Sequence, residues 1–189
     1  MKIRENMHVL LLKGGFGSER EVSLNSAKAC SKAIKENGFI VTEVDIAKMN
    51  VNKLISLKAD VCFNALHGNS GENGSIQGLL NLLKIPYTHS GVAASAISMN
   101  KIYFKRLIVN TTESTDDTII FPRTLQINEG ENLSIKNYNG LYVLKPKSGG
   151  SSVGVKIVKG RNSIPLKNEF KWKDLMAEEF VGSMELTVT

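Results

Sequence analysis

Two cysteines in 189 residues, Cys30 and Cys62, leave no disulfide framework, and without a C-x-x-C spacing or a neighbouring histidine pair they leave no zinc site. Cys30 falls in a helical pattern and Cys62 in an apolar run, so both read as reduced core residues. No apolar stretch approaches the ~20 residues of a membrane span, and the amino terminus lacks a charged-then-apolar leader, so a cytoplasmic protein with no membrane partner is expected. Acids are outnumbered, 18 against 24 Lys and Arg, for a formal charge of +6. The basic residues are scattered, with no block and no interleaved aromatics. That distribution argues for a solvated surface with a local anion site and against a nucleic-acid partner.

What is present is a composition able to bury a core, 42% hydrophobic, in a chain long enough for one large domain or two small ones. "HVLLL" (His8 to Leu12) reads as a buried strand running into a glycine turn at Gly14-Gly15. Ser18 and Glu21 have the spacing of a capping box, and Val22, Ala29, Cys30, Ala33 and Ile34 recur at helical spacing up to Asn37-Gly38, predicting a helix over 19–37. "FIVTEVDI" and "ADVCFNAL" predict strands. Ile76, Leu79, Leu80 and Leu83 predict an amphipathic helix that ends before Pro86. "IPYTHSG" reads as a short strand and turn, and "VAASAIS" as a helix. This alternation predicts an α/β layer with a largely parallel sheet, whose ligand sites lie at the carboxyl ends of strands, where "GGFGSERE" and "LHGNSGENG" fall.

From Asn100 the pattern changes. "NKIYFKRLIVN" predicts a helix capped by Asn100, and the polar "TTESTDDT" reads as a link between lobes. A β-rich run follows in "IIFPRTLQI", "GLYVLKP", "VGVKIV", "MAEEFV" and "ELTVT". The expected fold is α/β, a parallel-sheet domain over 1–98 followed by an α+β lobe over 99–189.

Four segments carry candidate chemistry. In "KPKSGGSSVGV" (Lys145 to Val155), small residues at Ser148, Gly149, Gly150, Ser151, Ser152 and Gly154 let backbone N–H groups turn toward one anion, with Lys145 beside them. The flanking β-formers fit a plain hairpin equally well. In "GGFGSEREVS", Glu21 suits the helix dipole, while Glu19 divides between that role and facing a cationic ligand. "NALHGNSGENGS" brings His67 and Glu72 to a strand end. Lys101 sits at a helix N-terminus, where an anion would bind, or is one more surface lysine. In "AEEFVGSMELTV", Glu178, Glu179 and Glu185 flank an apolar strand end.

These segments, with "IPYTHSGVAASAISMNK", stand in the order and spacing of the D-alanine:D-alanine ligase family of the ATP-grasp superfamily, which the chain resembles along nearly its whole length. The resemblance implies a pre-ATP-grasp domain followed by a partial ATP-grasp domain. The implied activity is ATP-dependent joining of two D-alanines through an acyl phosphate, for cell-wall peptidoglycan. It also implies roles. Glu19 would hold the ammonium of the first D-alanine, supported through a hydrogen-bond link by Ser151. His67 would lie near that substrate's carboxylate, and Glu72 would shape the pocket. Lys101 and Lys145 would bind the ATP phosphates, with Gly149, Gly150 and Ser152 in the covering loop. Glu178 and the Val181 backbone would read adenine, Phe180 would line its pocket, and Glu185 would hold the ribose. A homodimer through the first lobe is implied as well.

The loop departs from many relatives by an extra glycine in Lys147-Ser148-Gly149-Gly150. The family's ligands for Mg2+ (or Mn2+), its phosphate-steadying arginine and its tyrosine loop are expected beyond Thr189, so this stretch alone is expected to be inactive. Rival readings are another ATP-grasp carboxylate ligase, such as one making D-alanyl-D-lactate, and a non-catalytic nucleotide-binding fragment.

Overall fold

The computed structural model describes residues 6–112, 120–128, 132–160, 164–165, 172–182 and 184. The chain divides into two compact units, Met1–Met99 and Asn100–Thr189.

The first unit is built on three parallel strands. β1 (His8–Lys13) lies centrally, with β2 (Ile40–Asp45) on one side and β3 (Val61–Asn64) on the other. Leu10, Leu11 and Leu12 are fully buried, which fits a strand covered on both faces and reading as a continuous apolar run. Below one face, Leu10 and Leu12 meet Leu54, Cys62, Leu66, Ile76, Leu80 and Ile85. On the other, Leu11 meets Ala27 and Ala65. Cys62 is therefore a core thiol, pushed by burial up to about 12. Tyr87 adds an isolated parallel bridge to Cys62.

α1 (Arg20–Glu36) follows β1, and its buried face is Ser23, Ala27 and Ser31. This corrects the sequence expectation: Val22 is 54% exposed, and Ala29 and Ala33 face outward. Small side chains at i, i+4 and i+8 let the helix approach the sheet closely, and the two buried hydroxyls are satisfied. Ser23 Oγ accepts from the Gly14 N–H (2.8 Å) and donates to the Ala65 carbonyl (2.7 Å), and Ser31 Oγ donates to Glu43 Oε1 (2.6 Å). The expected capping box is also corrected, because the N-cap position is Glu19 and no side chain caps the helix. After α1 come α2 (Val51–Ser56), where the sequence reading assigned no helix, α3 (Asn69–Glu72) inside the glycine-rich loop, α4 (Ser75–Leu82) and α5 (Val92–Met99).

The second unit opens with α6 (Lys101–Thr112), and Asn100 caps it as expected, its Oδ1 accepting from the N–H groups of Ile102 (3.1 Å) and Tyr103 (3.2 Å). Beyond it, β4 (Thr124–Leu125), β5 (Ile127–Asn128), β6 (Asn132–Ile135), β7 (Leu141–Pro146), β8 (Lys156–Lys159), β9 (Ile164–Pro165) and β10 (Leu175–Glu179) form two antiparallel sheets, ordered β4-β10-β7-β8 and β5-β6-β9. Tyr142, Leu144, Leu175 and Ala177 bury one face of the larger sheet with Leu125 and Ile135. The stretch "IIFPRTLQI", part of the expected β-rich run, carries β4 and the start of β5, which pair with β10 and β6 respectively, so the chain changes sheets at Gln126. Of "TTESTDDT" (111–118), read as a link, Thr111 and Thr112 instead close α6, while 113–118 lie outside the described residues, as do 185–189, read as a strand, and with them Glu185.

Candidate functional site

In the first unit, β1 and β3 are adjacent and parallel, so their carboxyl ends deliver two loops to the same edge of the sheet. The loop after β1 is fixed by Ser23, as above, and by Arg20. The Arg20 guanidinium donates to both oxygens of Asp45 at the end of β2 (2.9 and 2.5 Å) and to the Gly15 carbonyl (3.1 Å). This fork holds the Asp45 carboxyl at about 2, well below the usual carboxylate range. The loop after β3 is fixed by two buried amides. Asn64 and Gln77 both donate to the Gly71 carbonyl (3.0 and 2.7 Å), and Asn64 Oδ1 accepts from the Leu66 N–H.

Between these anchored loops the sequence-predicted residues come together. The Glu19 carboxylate lies so close to Gly68 that a Cβ there would fall 2.3 Å from Glu19 Oε2, and Gly68 has the positive φ (71°) that glycine tolerates. The Gly68 N–H donates to Glu72 Oε2 (3.1 Å). His67 Nδ1 lies 3.8 Å from Glu72 Oε1, and His67 Nε2 is 3.1 Å from the hydroxyl of Ser26. Glu19, His67 and Glu72 thus form one polar cluster at the strand ends. Ser26 was missed by sequence reasoning: seven residues after Glu19, it returns to nearly the same face of α1, but a helical serine carries no signal of a partner 41 residues away.

Lysines of α1 and of β1 gather on another face of this unit. An open cleft of about 620 Å³ beside α1 is lined by Lys13, Lys28, Lys32, Lys35, Glu36 and Glu43, among others. Lys13 (2.6 Å) and Lys35 (3.5 Å) pair with Glu43, and Lys32 pairs with Glu36 (3.8 Å). Hydrogen bonds from Lys13 and Ser31 hold Glu43 at about 2.

In the second unit the Gly/Ser loop joins β7 to its antiparallel neighbour β8, so the hairpin reading is correct as far as topology goes. The loop's backbone is unlike that of a tight turn. Gly149 (φ 112°), Ser151 (51°), Ser152 (55°) and Gly154 (76°) all have positive φ, and two of them carry side chains. Consecutive left-handed serines are held against their conformational preference, at a cost of order 1 kcal/mol each. The loop's stem is tied to α6: the Lys101 N–H donates to the Lys147 carbonyl (2.9 Å), and Lys101 Nζ donates to the Gly149 carbonyl (2.7 Å). Gly150, Ser151 and Ser152 are partly or largely exposed along it.

Beside the loop's stem, Glu178 is 5% exposed and serves two cations: Lys145 Nζ at 2.5 Å from Oε2 and Lys105 Nζ at 3.0 Å from Oε1. Burial alone would push the Glu178 carboxyl up, but the hydrogen bonds from Lys145 and Lys105 outweigh it and leave the group below its ordinary range. Lys101 moves down, because it is partly buried and Lys145 stands nearby. Phe180 and Val181, at the end of β10, are 40% and 60% exposed.

A parallel α/β unit with anchored polar loops at its strand ends, followed by an antiparallel unit whose hairpin couples lysines to a glycine–serine loop, is the front portion of an ATP-grasp ligase fold. A family profile described as D-ala D-ala ligase N-terminus matches residues 50–90. A D-alanine–D-alanine ligase of Parvibaculum lavamentivorans is 42% identical over 185 residues, 95% of this chain. A crystal structure of a D-alanine–D-alanine ligase from Bacillus anthracis superposes with a TM-score of 0.69 at 27% identity, covering 93% of this chain and 58% of that one. A structure of the Bacillus anthracis ligase complexed with ATP superposes at 0.67 and 25% identity. The chain is thus similar along nearly its whole length to D-alanine–D-alanine ligases, and spans 58% of the length of the Parvibaculum relative.

Among the described residues no group of three His, Cys, Asp or Glu side chains is gathered to hold a metal ion. Among the described residues, too, no helix is long and apolar enough to cross a membrane.

Proposed function

We propose that this chain supplies the first-substrate site and the phosphate-covering loop of an ATP-dependent D-alanine–D-alanine ligase. The observation that carries this reading is the delivery, by adjacent parallel strands, of the Glu19 carboxylate against Gly68 and beside His67. An amino-acid zwitterion needs an anion for its ammonium and a donor for its carboxylate a few ångströms apart, and Glu19 and His67 are those two groups. Glu72 holds the loop between them through the Gly68 N–H.

In the reaction, a carboxylate oxygen of the first D-alanine attacks the γ-phosphorus of ATP, and ADP leaves. The amine of the second D-alanine then attacks the acyl carbon, forming the peptide bond, and inorganic phosphate leaves. Lys145 and Lys101 are the chain's groups for the ATP phosphates. A part-buried ammonium beside another cation gains more than a solvated one when a polyanion arrives, and Lys101 is in that condition. The N–H groups of the loop from Gly149 through Gly150, Ser151 and Ser152 cover the phosphates, and the Ser151 hydroxyl lends a further donor. Glu178 orders Lys145 and Lys105. Phe180 and the Val181 backbone supply the apolar wall and the edge for adenine. Magnesium bound elsewhere in the ligase, a homodimeric assembly and a cytoplasmic location complete the reading.

Amide correlation spectra of the 189-residue chain provide the test. D-alanine is expected to shift the Gly15, His67 and Gly68 signals saturably, and a non-hydrolysable ATP analogue those of 149–154. D-alanine shifts that avoid the β1 and β3 loops would overturn the reading.

A further inference from the structure

The geometry points to Ser26 as the residue that fixes the tautomer of His67, placing the ring proton on Nδ1 and making that N–H the donor offered to a bound anion. Two observations carry this. Ser26 makes no hydrogen bond back to its own helix, in contrast to Ser98, whose hydroxyl donates to the Ala94 carbonyl one turn earlier (2.8 Å). Among the described residues His67 Nε2, at 3.1 Å, is its hydrogen-bond partner. With no helix carbonyl taking it, the hydroxyl proton is assigned to Nε2, the unprotonated, accepting nitrogen of this proposal.

The second observation lies on the other side of the ring. Glu72 Oε1 is 3.8 Å from Nδ1, and a carboxylate there favours the proton on the nitrogen it faces. Yet 3.8 Å is too long for a hydrogen bond, so Nδ1–H is not consumed by Glu72. Glu72 has its other oxygen engaged by the Gly68 N–H, which keeps it from swinging closer. The second carboxylate nearby, Glu19, is packed against Gly68. Ser26 holds one edge of the ring and leaves the opposite edge free to donate. On the reading that this site takes D-alanine, the substrate carboxylate is the acceptor; the tautomer assignment itself does not depend on that reading. Ser26 is a positioning residue, since its hydroxyl meets the ring and not the ligand.

The test is long-range 1H–15N correlation of the histidine rings in the whole chain at about pH 8.5, where an imidazole of ordinary pKa is neutral. The expected result is a His67 dominated by Nδ1–H. In Ser26→Ala the ratio of Nδ1–H to Nε2–H should fall at least three-fold, and Ser26→Thr, which keeps the hydroxyl, should restore it. A wild-type His67 carrying its proton on Nε2 overturns the proposal without any variant, as does an S26A protein with dispersed amide signals and an unchanged ratio. If the tautomer is as stated but D-alanine leaves the Nδ1 resonance unmoved, the substrate reading fails and the role of Ser26 stands.

Discussion

Gly68 is where backbone conformation and site chemistry meet. Its φ of 71° lies in the left-handed region, and its hydrogen takes the space a methyl would need beside Glu19 Oε2. Gly68→Ala combines backbone strain with displacement of that carboxylate. It should lower unfolding free energy by roughly 1–3 kcal/mol in urea titrations and abolish the D-alanine-dependent shift of the His67 amide. An alanine tolerated within about 0.5 kcal/mol would mean that Glu19 is not seated as described. Asp45 offers a pH-dependent test at the same scale. Its folded carboxyl, at about 2, lies below the ordinary value near 3.9, so its contribution is fully present above about pH 4 and is lost as pH falls through about 2. In thermal melts from pH 5 to pH 2, the deficit of Asp45→Asn relative to wild type should shrink toward zero. A deficit constant across that window would show that the Arg20 pairing does not act through charge. Such residues were only partly legible beforehand. Glu19, His67 and Glu72 stood out because acids and a histidine in glycine-rich loops at strand ends carry a chemical signal. Ser26 and Asp45 did not, because their partners are 41 and 25 residues away and only the fold brings them near.

At the scale of elements, α1 shows how a correct outline can come with a wrong face. The helix was readable from its length and its Asn-Gly stop. Its buried stripe was not, since the apolar letters Val22, Ala29 and Ala33 point to solvent while two serines face the sheet. Serines can occupy that face because each finds a partner on the strands or their ends. Ser23 joins Gly14 to Ala65, tying the end of β1 to the end of β3 through the helix. Ser23→Ala leaves a buried N–H and a buried carbonyl without this partner and should cost about 1–3 kcal/mol by chemical denaturation. Asn100→Ala, at the other helix whose cap was foreseen, should cost about 1 kcal/mol. A variant at either position as stable as wild type would contradict these hydrogen-bond assignments. The β7–β8 hairpin was legible from its β-branched flanks. The run of positive-φ residues inside its loop was not, because serine letters do not announce a left-handed backbone.

For the whole molecule, the change in pattern at Asn100 coincides with the start of the second compact unit, and each unit has its own apolar core. The core of the second unit ends against charges: Glu178 is buried with Lys145 and Lys105 upon it. Glu178→Ala strands two part-buried ammonium groups and should destabilise this unit by roughly 2–4 kcal/mol, slightly less than a fully buried pair would lose. Urea titration followed by the amide signals of β7 and β10 measures the loss. An unchanged midpoint would mean that the lysines are adequately solvated without Glu178. In the other unit, the proposal that Glu19 and His67 fix the two charged ends of one amino acid implies a site that discriminates enantiomers by where the side chain must go. Calorimetric titration of the chain with D-alanine and L-alanine, in wild type and Glu19→Gln, tests it most directly. D-alanine should bind at least ten-fold more tightly than L-alanine, and E19Q should lose at least ten-fold in D-alanine affinity. Equal affinity for the two enantiomers, or an unchanged affinity in E19Q, would contradict it.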